Sequence, residues 1–186
     1  GRYGLSINGN WVPVTDYSNL DAQKVLIQEV SEMTETYKNT PGLLLFLLGN
    51  ENNYGLVWKG AETEDLPINE GDYSVAAKYL YQMFNKAAVA MKKIDSLHPV
   101  AMCNGDLGFL DLVAKECKDV DIYGTNMYRG KSFGDAFKRV KKELNMPIMF
   151  TEFGSDAFNA VTNAEDQKMQ AHFMVENWKE IYQNAA

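Results

Sequence analysis

A chain of 186 residues, 46% apolar and 23% charged, is long enough for one sizeable core and reads as a single domain over 1–186. Its net charge of −7 argues against nucleic acid as a partner, because a phosphate backbone rewards clustered Lys and Arg. No apolar run approaches the length of a membrane span, and the densest basic stretch, Lys138-Arg139-Val140-Lys141-Lys142, reads as a solvated helix face.

Strand-like and helix-like segments alternate along the chain. Tyr3 to Ile7 is a short strand candidate. Asp16 to Asn19 supplies capping residues for a helix over about Asp21 to Lys38, with Leu26, Val30, Met33 and Tyr37 on one face. Pro41-Gly42 breaks it. Leu43 to Leu48 is continuously apolar, the pattern of a strand buried on both faces. A long polar loop, Asn52 to Asp72, contains Gly55, Gly60, Pro67 and Gly71; loops of that length in compact domains are usually functional or mobile. A helix follows over about Tyr73 to Ser96, with Ala76, Leu80, Met83, Ala87, Met91 and Ile94 at helical spacing. Pro99 to Cys103 is a strand, about Gly108 to Cys117 a short helix, and Val120 to Tyr123 a strand running into Gly124-Thr125-Asn126-Met127-Tyr128. A helix over about Phe133 to Leu144 leads to the strand Pro147 to Thr151. The last helix spans about Ala164 to Tyr182, with Met174, Trp178 and Ile181 facing inward.

This alternation predicts a parallel sheet with helical crossovers, as an open doubly wound sheet or as a (β/α)8 barrel. Neither GxGxxG nor GxxxxGK[ST] occurs, which lowers the nucleotide-binding version of the open sheet. In both architectures reactive groups belong at the C-terminal ends of the strands. The two cysteines, Cys103 and Cys117, form no CxxC and lie far from His98 and His172. They read as buried free thiols, and no metal site or organic cofactor is expected. No signal peptide is visible in this sequence, which opens at Gly1-Arg2-Tyr3 directly into a strand-like segment. A secreted or periplasmic protein with its N-terminus removed would look the same, and that location is the expectation.

Glu51 and Glu152 each follow a predicted strand immediately, whereas Glu29, Glu32 and Glu143 fall on amphipathic helices and read as solvated. Either glutamate alone would pass as a cap or a surface charge. Two at matching positions on one edge of a parallel sheet suggest acid/base chemistry on a sugar. Breaking a glycosidic bond needs one carboxylic acid to protonate the leaving oxygen. It needs a carboxylate on the other side of the ring to attack the anomeric carbon or activate water. Asn50 offers an amide to a sugar hydroxyl. Tyr128, after a third strand, can donate its phenolic hydrogen to a carboxylate and keep it ionised. Tyr54 and Trp58 in the loop after Glu51, and Phe153 and Phe158 after Glu152, are candidate platforms for a pyranose ring, with Trp11 a lesser one; the alternative is that they pack the loops down.

Three segments resemble a known group: Gly49-Asn50-Glu51, then Asp121-Ile122-Tyr123-Gly124-Thr125-Asn126-Met127-Tyr128, then Pro147-Ile148-Met149-Phe150-Thr151-Glu152-Phe153-Gly154. They look like the fourth, sixth and seventh strands of clan A retaining glycoside hydrolases, closest to the family 2 catalytic barrel. Family 72 glucanosyltransferases have similar wording in the second and third segments. The resemblance implies a (β/α)8 TIM barrel, incomplete here and running from about the third strand to the seventh helix. It implies Glu51 as general acid/base and Glu152 as nucleophile. Asn50 would bond the hydroxyl next to the anomeric carbon and Tyr128 would hold Glu152. Asn126, Tyr54 and Trp58 join Asn50 and Tyr128 as substrate-binding candidates. A whole barrel takes about 250 residues, so further segments or domains of a longer protein are expected.

The leading functional expectation is a retaining glycosidase acting on a β-linked carbohydrate. A transglycosylase would use the same residues and pass the glycosyl group to a second sugar. A non-catalytic carbohydrate-binding fragment of such an enzyme is the rival from another class; turnover of an aryl glycoside separates it from both.

Overall fold

The computed structural model describes residues 4–13, 16–56 and 73–185, the side chains of 4–6 and 11–13 excepted. It opens with an antiparallel hairpin, β1 (Gly4–Ile7) and β2 (Asn10–Pro13). Asn8 and Gly9 between them both take positive φ, 51° and 80°, as a two-residue turn matching the strand twist requires. The strand expected over Tyr3–Ile7 is thus present as Gly4–Ile7. Among the described residues it pairs only within this two-stranded sheet, apart from the parallel one; the Asn-Gly pair that dictates this is visible in the sequence.

The first long helix, α1 (Leu20–Tyr37), is capped by Asn19, whose side chain accepts from the Asp21 and Ala22 N–H groups at 3.0 Å each. Leu26, Val30 and Met33 pack against the core as expected. Thr34 is fully buried, with its hydroxyl donated to Val30 O at 2.7 Å. Tyr37, expected on this face, is 53% exposed because it lies in the last turn, past the covered stretch. Next, β3 (Phe46–Leu48) is shorter than the apolar run, and Leu47 is 41% exposed between buried Phe46 and Leu48. The two-sided burial expected of this strand is therefore not what the described residues give it.

After the single turn α2 (Asn52–Gly55), α3 (Ser74–Ile94) supplies most of the core. Leu80, Tyr81, Met83, Phe84, Ala87, Ala88 and Met91 are buried along one stripe. Each large apolar side chain so covered contributes about 1.5–3 kcal/mol. The helix packs on α1 and on α4 (Leu110–Glu116), which follows β4 (Val100–Gly105). Then come β5 (Ile122–Met127), α5 (Ala136–Glu143) and β6 (Ile148–Phe153). The four strands β3, β4, β5 and β6 pair in that order, all parallel, so sequence order equals spatial order.

Beyond β6, β7 (Phe158–Asn159) and β8 (Ala164–Glu165) form a small antiparallel pair, so Ala164 is not the start of the last helix, α6 (Gln167–Asn184). Met174 and Trp178, expected to face inward, are 41% and 62% exposed. Ile181, expected inward with them, does pack against the core, and polar contacts also hold α6. Buried Asn177 donates to Gly130 O at 3.0 Å, and the Glu180 carboxylate accepts from the Phe133 N–H at 3.0 Å. A helical stripe of apolar residues shows that a face exists but not that anything covers it.

Candidate active site

The strand register brings the site together. Gly105 on β4, Asn126 on β5 and Glu152 on β6 lie on one rung at the C-terminal edge of the sheet. Beyond β3 the chain still tracks β4, since the Glu51 N–H donates to Cys103 O at 3.1 Å. It then turns sharply. Gly49 has φ +77°, and a Cβ there would stand 2.2 Å from Asn52 Oδ1, so glycine is required. Glu51 itself is left-handed, φ 52° and ψ 34°, a conformation that costs a non-glycine residue about 1–3 kcal/mol.

Side chains hold that turn. Asn52 accepts from the Asn50 N–H at 2.8 Å and donates to the Tyr17 hydroxyl at 2.8 Å. Buried Asn53 binds Gly105 at both ends, accepting from its N–H at 2.7 Å and donating to its carbonyl at 2.9 Å. The Tyr54 ring lies flat enough on Gly105 that a Cβ there would come within 2.3 Å of it. Asn50 is exposed and Glu51 half-buried on this fixed support.

Glu152, exposed on β6, accepts the Tyr128 hydroxyl on Oε2 at 2.8 Å. That bond holds the Tyr128 phenol above its ordinary range, with burial and the charges of Glu152, Glu51 and Asp156 adding to the effect. Both glutamates therefore act on a single phenol. Both also act on the Cys103 thiol, which is pushed up chiefly by burial and kept as S–H. After Tyr128, Arg129 forks onto Asp106, with Nε on Oδ2 at 2.9 Å and Nη2 on Oδ1, and donates to Phe133 O at 3.1 Å. This clamp fixes the loop that carries Tyr128.

Glu51, Glu152, Asn50 and Tyr128 are thus gathered at one edge; Glu152, expected just past its strand, is the penultimate residue of β6, which runs two residues further than predicted. Asn126 is 2% exposed and lies in the layer beneath. Tyr54 is half-buried against Gly105, and Trp58 and the Trp11 side chain lie outside the described residues. Phe153, a candidate platform, joins an aromatic cluster with Phe133 and Phe150 at centroid distances of 6.0 and 6.3 Å, so it packs β6 down. Phe158 is 55% exposed on β7. Sequence reasoning missed Asn52, Asn53, Thr151 and the Arg129–Asp106 clamp; their only signal was polar residues crowded beside strand ends. Cys103, read only as a buried thiol, bonds within the layer under the glutamates.

The model of the family 2 glycosyl hydrolases, TIM barrel domain, matches residues 4–185. Among solved structures, Bacteroides uniformis β-glucuronidase aligns with a TM-score of 0.64 at 15% identity, over 93% of this chain and 21% of that one. A β-D-glucuronidase of Dictyoglomus thermophilum aligns with 0.56 at 14%, over 88% and 27%. An exo-β-agarase aligns with 0.61 at 14%, over 97% and 33%. These are likenesses of fold, and this chain spans only 21%, 27% and 33% of the three proteins' lengths. No curated protein sequence matches it. With nearly its whole length covered by the family model, the chain belongs to the family 2 glycosyl hydrolases and forms part of their TIM barrel domain.

Proposed function

We propose that this chain carries the catalytic pair of a retaining glycosidase that cleaves a β-linked glycan or glycoside by double displacement. The supporting observation is the Tyr128 hydroxyl bonded to Glu152 Oε2 at 2.8 Å, with Glu51 acting on the same phenol. A carboxylate that accepts such a bond is held in one orientation, as a nucleophile must be. Glu51, on the rigid turn opposite, is the proton carrier.

In the first step Glu152 attacks the anomeric carbon while Glu51 gives its proton to the departing glycosidic oxygen. A covalent glycosyl-enzyme results. In the second, Glu51 takes a proton from water, the water oxygen attacks the same carbon, and Glu152 leaves as carboxylate. Two inversions give net retention, which requires carboxyl groups about 5–5.5 Å apart. Proton NMR of the first product released by the full-length protein tests this. The product anomer should match the substrate's; an inverted first product excludes Glu152 as nucleophile.

A further inference from the structure

Beneath the two glutamates runs a polar layer with one member from each parallel strand or its end: Asn50, Cys103, Asn126 and Thr151. The Asn126 Nδ2 donates to Asn50 Oδ1 at 3.2 Å. Its Oδ1 accepts from Thr151 Oγ1 at 2.5 Å and from Cys103 Sγ at 3.3 Å. Cys103 also reaches Asn50 Oδ1, at 3.7 Å. The β5–β6 register shifts between Thr125 and Asn126, pairing Asn126 with Glu152 and skipping Thr151. An irregularity of this kind re-aims a side chain, and here the Thr151 hydroxyl meets Asn126.

At 2% exposure Asn126 has its amide occupied from within, whereas Asn50 is exposed. Donors from the layer engage the carbonyl end of the Asn50 amide, which leaves its NH2 end for a partner outside the layer. We propose that Asn126 is a positioning residue: held by Thr151 and Cys103, it orients the Asn50 amide so that its nitrogen meets the sugar hydroxyl next to the anomeric carbon. This rests on the double-displacement reading and on Asn50 as that hydroxyl's partner. It moves Asn126 from the substrate contacts expected of it to the support of one.

The test is kinetic, in the full-length protein. It uses the 4-nitrophenyl β-glycoside turned over fastest and its 2-deoxy analogue, which lacks the hydroxyl. Asn126→Ala should lower kcat/KM about 10- to 100-fold on the hydroxylated substrate, the cost of a misplaced contact, and leave the deoxy substrate nearly unchanged. Asn50→Ala should show the same selectivity, and the double variant should be no worse than Asn50→Ala. Thr151→Val, which keeps the shape and loses the hydroxyl, should follow Asn126→Ala, with Thr151→Ser restoring the rate. This Val/Ser pair decides the matter if Asn126→Ala does not fold. Equal losses on both substrates, or losses that multiply with Asn50→Ala, overturn the proposal while leaving the catalytic pair intact. Full activity in Glu51→Ala and Glu152→Ala overturns the pair itself and the proposal with it.

Discussion

Glu152 is exposed with one oxygen on Tyr128, and Glu51 is half-buried on a left-handed turn tied to β4. Under the proposed double displacement, with Glu152 as nucleophile, these surroundings predict different mutant behaviour. In Glu152→Ala no glycosyl-enzyme forms, so every substrate suffers, and azide entering from the vacated face should yield an inverted glycosyl azide. In Glu51→Ala the nucleophile survives. Substrates with poor leaving groups should slow about 10²–10⁴-fold, whereas activated ones still form the intermediate and release it slowly, azide giving a retained product. Opposite stereochemistry in the two variants would mean that the roles are exchanged. Tyr128 offers an independent check. Its raised folded pKa means that its bond to Glu152 stabilises the fold below the ordinary phenol value of 10.0 and is lost as pH rises through the higher folded value. Replacing Glu152 by Gln removes the charged acceptor, so in an ultraviolet difference titration against Tyr128→Phe the phenol should titrate lower than in the native protein. An unchanged titration would show that Glu152 does not govern it. These residues were legible in the sequence because each ends a strand, where a parallel sheet exposes side chains. Asn126 was legible only as a substrate contact and Thr151 not at all, since a neighbouring-strand relay depends on register that a single strand's sequence does not contain.

The turn β3–α2 is a small element whose geometry rests on a few side chains, chiefly Asn53. With Asn53 buried and bonded at both ends to Gly105, Asn53→Ala strands a buried N–H and carbonyl. The expected cost is about 1–3 kcal/mol, read as a lower denaturant midpoint at constant slope. Because Glu51 stands at the first position of this turn, just before α2, activity should fall further than stability alone explains. Asn53→Ala with native stability would show that solvent reaches Gly105. The order β3-β4-β5-β6 followed from the alternation of apolar strands with amphipathic helices, and the Asn19 cap was visible in the residues themselves. The errors share one cause. Tyr37, Met174 and Trp178 were assigned to a covered face by helical spacing and Leu47 by an unbroken apolar run, and such patterns record which residues align, not what lies against them. The short β7–β8 pair had too few residues to announce itself.

Burial across the whole molecule is uneven, and this predicts where its structure is weakest. β4 is buried along all its length and β5 nearly so, with α3 and α4 packed near them. β6 is only half-buried, and α6 exposes Val175, Trp178 and Tyr182 at 51%, 62% and 78%. Local opening free energy follows buried apolar contact and protected hydrogen bonds, so the sheet should loosen from its β6 side. The site straddles this gradient: Glu51 sits on the turn bonded to β4, while Glu152 sits on β6. Amide hydrogen exchange on the chain 1–186 should show β4 and β5 slowest, with β6 and α6 exchanging faster. In a longer protein containing this chain, protection should rise more in β6 and α6 than in β4, because neighbouring segments can cover the exposed Trp178 and Tyr182. If the proposed function holds, the same addition should raise glycosidase activity, since it steadies Glu152 against an already anchored Glu51. If β6 and α6 of the chain alone exchange as slowly as β4, the exposed surface is no weakness, and any lack of activity in the isolated chain has another cause.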